Sequence, residues 1–107
     1  MGWSTQRTKD KLIGVPSGRV DEKSWEAFLA DLTRTIAEAA TEKCAFVLDL
    51  SGVDYMSSRG LRVLTLARRD AETQHVTFKL AKPNDRMREI LAISRYDKIF
   101  KVEDSID

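Results

Sequence analysis

The sequence predicts an α/β fold, a single domain over residues 1–107 in which a mixed sheet of four or five strands is packed with helices. Three observations carry that expectation. After an initial pair of strand-like segments, stretches of strand character alternate with stretches of helical periodicity, so a β-hairpin is followed by βαβαβ-type units with right-handed crossovers. The run Ala45-Phe46-Val47-Leu48-Asp49-Leu50 is apolar apart from one aspartate and does not alternate, which suits a central strand covered on both faces. A chain of 107 residues also fits one core of modest size.

Taken in order, residues 3–9 alternate loosely, with Thr5 and Thr8 adding β propensity. Lys9-Asp10-Lys11 reads as a tight turn and Leu12-Ile13-Gly14-Val15-Pro16 as the second strand of the hairpin. Pro16 has no N–H to give a ladder and belongs at a strand end, an edge or a bulge. Gly18-Arg19-Val20-Asp21 then forms a turn, and Asp21 is placed either to cap the first helix or to touch a partner. That helix spans about 22–40. Trp25, Phe28, Leu29, Leu32, Ile36 and Ala39 recur in it at steps of three and four, with Glu26, Asp31, Arg34 and Glu38 on the polar back. Burial of Trp25 and Phe28 contributes on the order of 2 kcal/mol each.

The second helix spans about 58–73. At about 100° per residue, Gly60, Leu64, Ala67 and Ala71 share the face towards the sheet, with Leu61 and Val63 widening it and Gly60 permitting close approach. Ser58, Arg62, Thr65 and Arg69 form one stripe on the opposite, exposed side. Residues 75–80 read as a strand with Val76, Phe78 and Leu80 on one side, His75 serving as a solvated or capping residue. Pro83-Asn84-Asp85 marks the start of a short third helix. Met87, Ile90, Leu91 and Ser94 face inward there, and Arg86, Arg88 and Glu89 outward. Residues 99–102 form a last short strand.

Composition narrows the function. Charged residues make up 33% but nearly cancel, to a formal +1, so nothing in the charge points to nucleic acid or a membrane surface as partner. The longest apolar runs fall far short of the roughly 20 residues that span a bilayer, and the first residues lack the apolar centre of a signal peptide. A cytoplasmic location is expected. Cys44 is the only cysteine, which excludes an internal disulfide and a multi-cysteine metal site, and it is read as a small buried hydrophobe. Nucleophilic catalysis needs a base beside the nucleophile and a group that stabilises developing charge. Ser57 and Ser58 have no such neighbours in sequence, and His75 is the only imidazole. Glycine-rich phosphate loops and metal-ligand spacings are absent. The expectation is a binding module rather than an enzyme, with no cofactor and no metal.

The function is placed at residues 46–61, where an apolar strand passes through a turn into a helix and two serines stand at the junction. The first N–H groups of a helix lack partners and carry partial positive charge, so a phosphate can sit on either serine without breaking the helix. Asp49-Leu50-Ser51-Gly52-Val53, then Tyr55-Met56 and Ser58 with Gly60-Leu61, resembles the signature of bacterial anti-sigma factor antagonists, the STAS domain family. The family form is Asp-Leu-Ser-Gly-Val, any residue, an aromatic, Met or Ile, then Asp-Ser-Ser-Gly-Leu, with the first serine after the second Asp phosphorylated. That register puts Ser58 at the phosphoacceptor position, ahead of Ser57, which stands where the family has Asp. Arg59 replaces the second serine, and Arg62 a small residue. The Gly18-Arg19-Val20-Asp21 turn and the closing segments Arg88-Glu89-Ile90-Leu91 and Tyr96-Asp97-Lys98-Ile99-Phe100 extend the resemblance over residues 18–102, strongest at 45–66.

The resemblance implies a STAS-like fold and a partner-switching role. Unphosphorylated, the chain would bind an anti-sigma factor serine kinase of ATP-binding kinase-like fold; phosphorylation of Ser58 would release it, and a serine phosphatase would reset it. The contact surface so implied comprises Asp21, Asp54, Met56, Ser57, Ser58, Arg59, Arg62, Thr65 and Arg69. The residues at positions 57 and 59 keep a second reading open, a STAS module that is never phosphorylated and acts as a scaffold or ligand-sensing subunit. Phe46-Val47-Leu48-Asp49-Leu50 also resembles the phosphoacceptor strand of response-regulator receivers. The acidic pair a receiver needs after its first strand is missing, and the chain is short by a strand and a helix.

Overall fold

The computed structural model describes residues 1–106. β1 (Gly2–Arg7) and β2 (Lys11–Val20) form an antiparallel hairpin, with Gly2 opposite Ser17 and Arg7 opposite Leu12. The chain crosses through α1 (Trp25–Glu42) to β3 (Ala45–Asp49), parallel to the first half of β2, and continues into β4 (Gly52–Met56), parallel to its second half. Next, α2 (Ser58–Thr73) leads to β5 (Phe78–Ala81), parallel to β3. Finally α3 (Asp85–Ile93) and a 3-10 turn at Tyr96–Lys98 lead to β6 (Val102–Glu103), parallel to β5. The sheet order is β1-β2-β3-β5-β6, with β4 also beside β2.

Six strands are thus paired among the described residues, where four or five were expected. The added strand is β4, in a segment expected to be a turn. Asp49 makes the step between β3 and β4: its Oδ1 accepts the N–H of Ser51 at 2.9 Å, and the N–H of Val53 reaches back to the carbonyl of Leu50 at 3.1 Å. The pairing against β2 slips by one residue across this step and again between Gly18 and Arg19, where Gly18 takes φ +94°. Glycine reaches that left-handed region without a Cβ clash. Pro16 falls where β2 exchanges β3 for β4 as its neighbour, so its missing N–H removes nothing from either parallel ladder.

The other boundary shifts are local. β2 runs on to Val20, and the turn falls at residues 21–24, so α1 begins at Trp25 with Ser24, not Asp21, at its N-cap. β5 begins later than expected because His75 adopts φ +60° and closes the end of α2 by donating its N–H to the carbonyl of Glu72. The last strand is Val102–Glu103 rather than 99–102; Ile99 lies exposed at the end of the 3-10 turn.

All three α-helices pack on one face of the sheet, in a cluster built around Phe28, Leu32, Phe46, Leu48, Leu64 and Met87. Among the described residues the buried apolar cluster on the second face is small, Ile13, Val47 and Ala81 with Val15 and Ile106 packed against them, and includes no helical residue. The two-sided cover expected for the central strand is therefore unequal. Cys44 is half-buried, and burial pushes its thiol pKa up, so it stays protonated.

Gly60 shows how tightly α2 lies on the strand ends. A Cβ there would stand 2.5 Å from Met56 Cγ, 2.8 Å from Val20 Cγ1 and 3.2 Å from Val20 Cβ. Val20 is stiff at χ1, so the methyl has no easy escape. Overpacking of about 1–3 kcal/mol outweighs the roughly 1 kcal/mol that alanine gains in helix propensity. Gly60→Ala is expected to lower stability by about 1 kcal/mol net in urea denaturation; an unchanged midpoint would show that α2 can lift off the sheet freely.

Candidate functional site

Parallel pairing brings two chain exits together. Val20 ends β2 beside Met56 at the end of β4, and the Ser57 N–H donates to the Val20 carbonyl at 2.8 Å. The turn at residues 21–24 and the start of α2 therefore leave the sheet side by side, at the carboxyl ends of its strands, where open α/β sheets tend to carry function.

The two serines at this junction do different work. Ser57 is the N-cap: its backbone is extended, and its Oγ accepts the Gly60 N–H at 3.3 Å. Ser58 is the first residue of α2 and is exposed, and among the described residues its hydroxyl has no hydrogen-bond partner. The first turn of α2 contains no acidic residue, so the positive end of the helix dipole is not offset from within the helix. A negative charge on Ser58 would be stabilised there.

Arg59 is drawn sideways. Its guanidinium lies 4.9 Å from the centre of the Trp25 ring, and an Nη lies 3.6 Å from a Glu22 carboxylate oxygen. Arg62 and Arg69 are exposed, and their side chains make no hydrogen bond or ion pair among the described residues. Asp54 is exposed on β4. Asp21 is half-buried and shapes its own turn. Its Oδ1 accepts the Lys23 N–H at 3.0 Å, while the Ser24 hydroxyl donates to the Arg19 carbonyl at 2.7 Å. The Lys23 N–H holds the Asp21 carboxyl below the usual carboxylate range.

Two expected contact residues are displaced. Met56 is 2% exposed, because its side chain points inward beneath Gly60, so it belongs to the core. Thr65 is half-buried with its hydroxyl 2.7 Å from that of Tyr96, a partner 31 positions along the chain. The exposed stripe on α2 is reduced to Ser58, Arg62 and Arg69.

The structure also brings in residues that the expected contact surface left out. Two guanidinium groups lie near the Tyr55 ring, Arg19 at 4.5 Å and Arg86 at 6.0 Å from its centre. The Arg19 to Tyr55 contact follows from their cross-strand pairing, which requires β4 to exist. Asn84 fixes Arg86 in place by capping α3 through the Met87 N–H while its amide donates to the Val53 carbonyl at 2.8 Å. Asp49 is 8% exposed and occupied by its turn, with Lys82 Nζ at 3.8 Å. No group of three or more potential metal ligands, and no helix long and apolar enough to cross a membrane, occurs among the described residues.

Against known proteins, the family model described as the STAS domain matches residues 3–107. A STAS-domain containing protein of Pseudomonas aeruginosa is 35% identical over 57 residues, 53% of this chain and 56% of that protein, so the match spans little more than half of that relative's length. Among solved structures, an anti-sigma factor antagonist from Mycobacterium paratuberculosis superposes with a TM-score of 0.84 at 20% identity, covering 99% of this chain and 87% of the other. The anti-sigma factor antagonist SpoIIAA in its unphosphorylated form gives 0.75 at 16% identity, covering 97% and 89%. The phosphorylated form of the Bacillus SpoIIAA gives 0.65 at 16%, covering 97% and 92%. At such identities these likenesses speak for the fold.

The unequal roles of the serines can be measured. Ser57→Ala removes a cap and should cost about 1 kcal/mol of stability, whereas Ser58→Ala should stay within about 0.5 kcal/mol; equal losses in urea denaturation would contradict the division. Asp21 gives a pH signature. Its folded pKa is depressed, so its stabilising contribution is complete above the unfolded value, near pH 4, and disappears as pH falls through the folded value. In Asp21→Asn that part of the acid sensitivity below about pH 4 should be missing from the urea midpoint.

Proposed function

The chain belongs to the STAS domain family, and from that premise we propose that it is an anti-sigma factor antagonist acting by partner switching. The observation that carries this reading is the free, exposed hydroxyl of Ser58 at the first position of α2, beside a Ser57 hydroxyl already engaged as the cap. In the unphosphorylated state the start of α2 and the turn at Asp21 dock on an anti-sigma factor serine kinase of ATP-binding kinase-like fold, which lets go of its sigma factor. The kinase then transfers the γ-phosphoryl group of ATP to Ser58 Oγ; the hydroxyl loses its proton and ADP leaves. The chain is the substrate of that step, not its catalyst, and the cytoplasm is the compartment in which it meets such a partner.

The phosphate adds about −1.5 to −2 charges. Within the fold it meets the positive end of α2 and needs no rearrangement. At the docking surface it takes the place of a neutral hydroxyl, so the desolvation and bulk of the dianion oppose binding. A change of ~3 kcal/mol weakens affinity more than a hundredfold, enough for a switch. A serine phosphatase resets it.

Arg59 favours a second reading, a STAS module that stays unphosphorylated as a scaffold or ligand sensor. This side chain, adjacent to the hydroxyl, is already held by Glu22 and Trp25. Intact mass after incubation with ATP and the anti-sigma kinase separates the two. The parent should gain one phosphate and Ser58→Ala none; a phosphopeptide mapped to Ser57 would overturn the assignment, and a parent that is never labelled would favour the scaffold. Ser58→Asp should bind the kinase more than about a hundredfold more weakly while its circular dichroism stays that of the parent; undiminished binding would remove the switch.

A further inference from the structure

The helix that starts at Ser58 carries one apolar side chain that the core does not use. Val63, Leu64, Ala67 and Ala71 are buried in the main cluster and Leu61 packs against it, whereas Leu66 is half-buried outside it. Leu66 instead lines a groove of about 340 Å³ between α1 and α2, together with Trp25, Val63, Arg59 and Arg62. Positions 59, 62, 63 and 66 recur at helical spacing, so the groove runs along the α1 side of α2 from its first turn.

The rim is positively charged over an apolar floor. Arg59 covers the Trp25 ring, and its one carboxylate neighbour, Glu22, lies 3.6 Å away with 70% of its side chain exposed. Arg62 has no acidic partner among the described residues. An apolar trough with a spare guanidinium at its edge complements a bulky apolar side chain that has a carboxylate beside it, since the carboxylate can take both N–H groups of the fork while the trough shields the apolar part from water. Leu66, at the far end of the trough from Ser58, lies outside the main core cluster.

We infer that this groove is an anchor pocket for the protein partner, filled by an apolar side chain flanked by an acidic residue of the partner's docking segment. The inference rests on the docking role proposed above, but its test uses the isolated protein and no kinase. The probe is 3-phenylpropionate, with 3-phenylpropanamide and 3-phenylpropylamine as neutral and cationic counterparts, titrated by NMR. Saturable millimolar binding is expected, with shifts concentrated on the Trp25 indole N–H and the Val63 and Leu66 methyls. The amide should bind at least about threefold more weakly, and Arg62→Gln and Leu66→Gln should each weaken the carboxylate at least about fivefold with spectra otherwise unchanged. No saturable shift at these residues, or an amine that binds as well as the carboxylate, overturns the inference. The same shifts on raising the protein concentration without probe would assign the groove to a second copy of the chain instead. A failed probe titration leaves the phosphorylation result at Ser58 untouched, and an unlabelled Ser58 leaves the titration untouched.

Discussion

The site depends on β2 having two successive parallel neighbours. Its first half pairs with β3 and its second with β4, and only the second pairing carries the chain far enough to set Met56 beside Val20 and Ser57 against the Val20 carbonyl. That hydrogen bond fixes where α2 can begin. Gly60, one turn in, then lets the helix settle onto Val20 and Met56, where any Cβ would collide. The outward position of Ser58 follows from these inward contacts, because the residue at the N-cap and the residue three places on are both committed to the sheet side. Position 58 is thus set by backbone and core.

The electrostatics favour a hydroxyl that can become an anion. A helix end stabilises a nearby negative charge by about 0.3–1 kcal/mol at an exposed site, and the first turn of α2 spends none of this on an acid of its own. The gain is small beside the ~3 kcal/mol asked of the docking penalty. A phosphate at this position is therefore tolerable to the fold, as the proposed switch requires. A phosphate at the buried end of a helix, or on a hydroxyl already serving as cap, would disturb the protein itself.

Sequence reasoning reads some of this well and some of it not at all. The span of α2 is readable at both ends, because its buried face repeats through Gly60, Leu64, Ala67 and Ala71 and the serines before it are good caps. β4 is not, since its five residues lack clean alternation and its partner shifts register at Gly18, a fact that belongs to β2. Once β4 is missed, Met56 has no inward side to be assigned to, and the contact of Arg19 with Tyr55 cannot be foreseen. Thr65 fails differently: its place on the helical wheel is right for exposure, but Tyr96 arrives from a distant turn and covers it. Leu66 sits between the two faces of the wheel, so a reading in terms of one buried and one exposed side assigns it to neither. Periodicity reports which side of a helix faces its own sheet and says nothing of the trough a neighbouring helix makes with it.

Arg59 is the departure from the family pattern nearest the proposed phosphoacceptor, and its side chain is drawn aside. A cation at the second position of a helix sits against the positive end of the dipole and is unfavourable there. It persists because the Trp25 face and the Glu22 carboxylate hold the guanidinium away from the helix axis, each an interaction worth a fraction of a kcal/mol to about 1 kcal/mol at an exposed site. Both partners lie on the α1 side, so the side chain leans over the groove rather than over Ser58. Had position 25 been small, the same arginine would be free to fold back across the Ser58 hydroxyl. A tryptophan at the start of α1 thus draws Arg59 away from position 58.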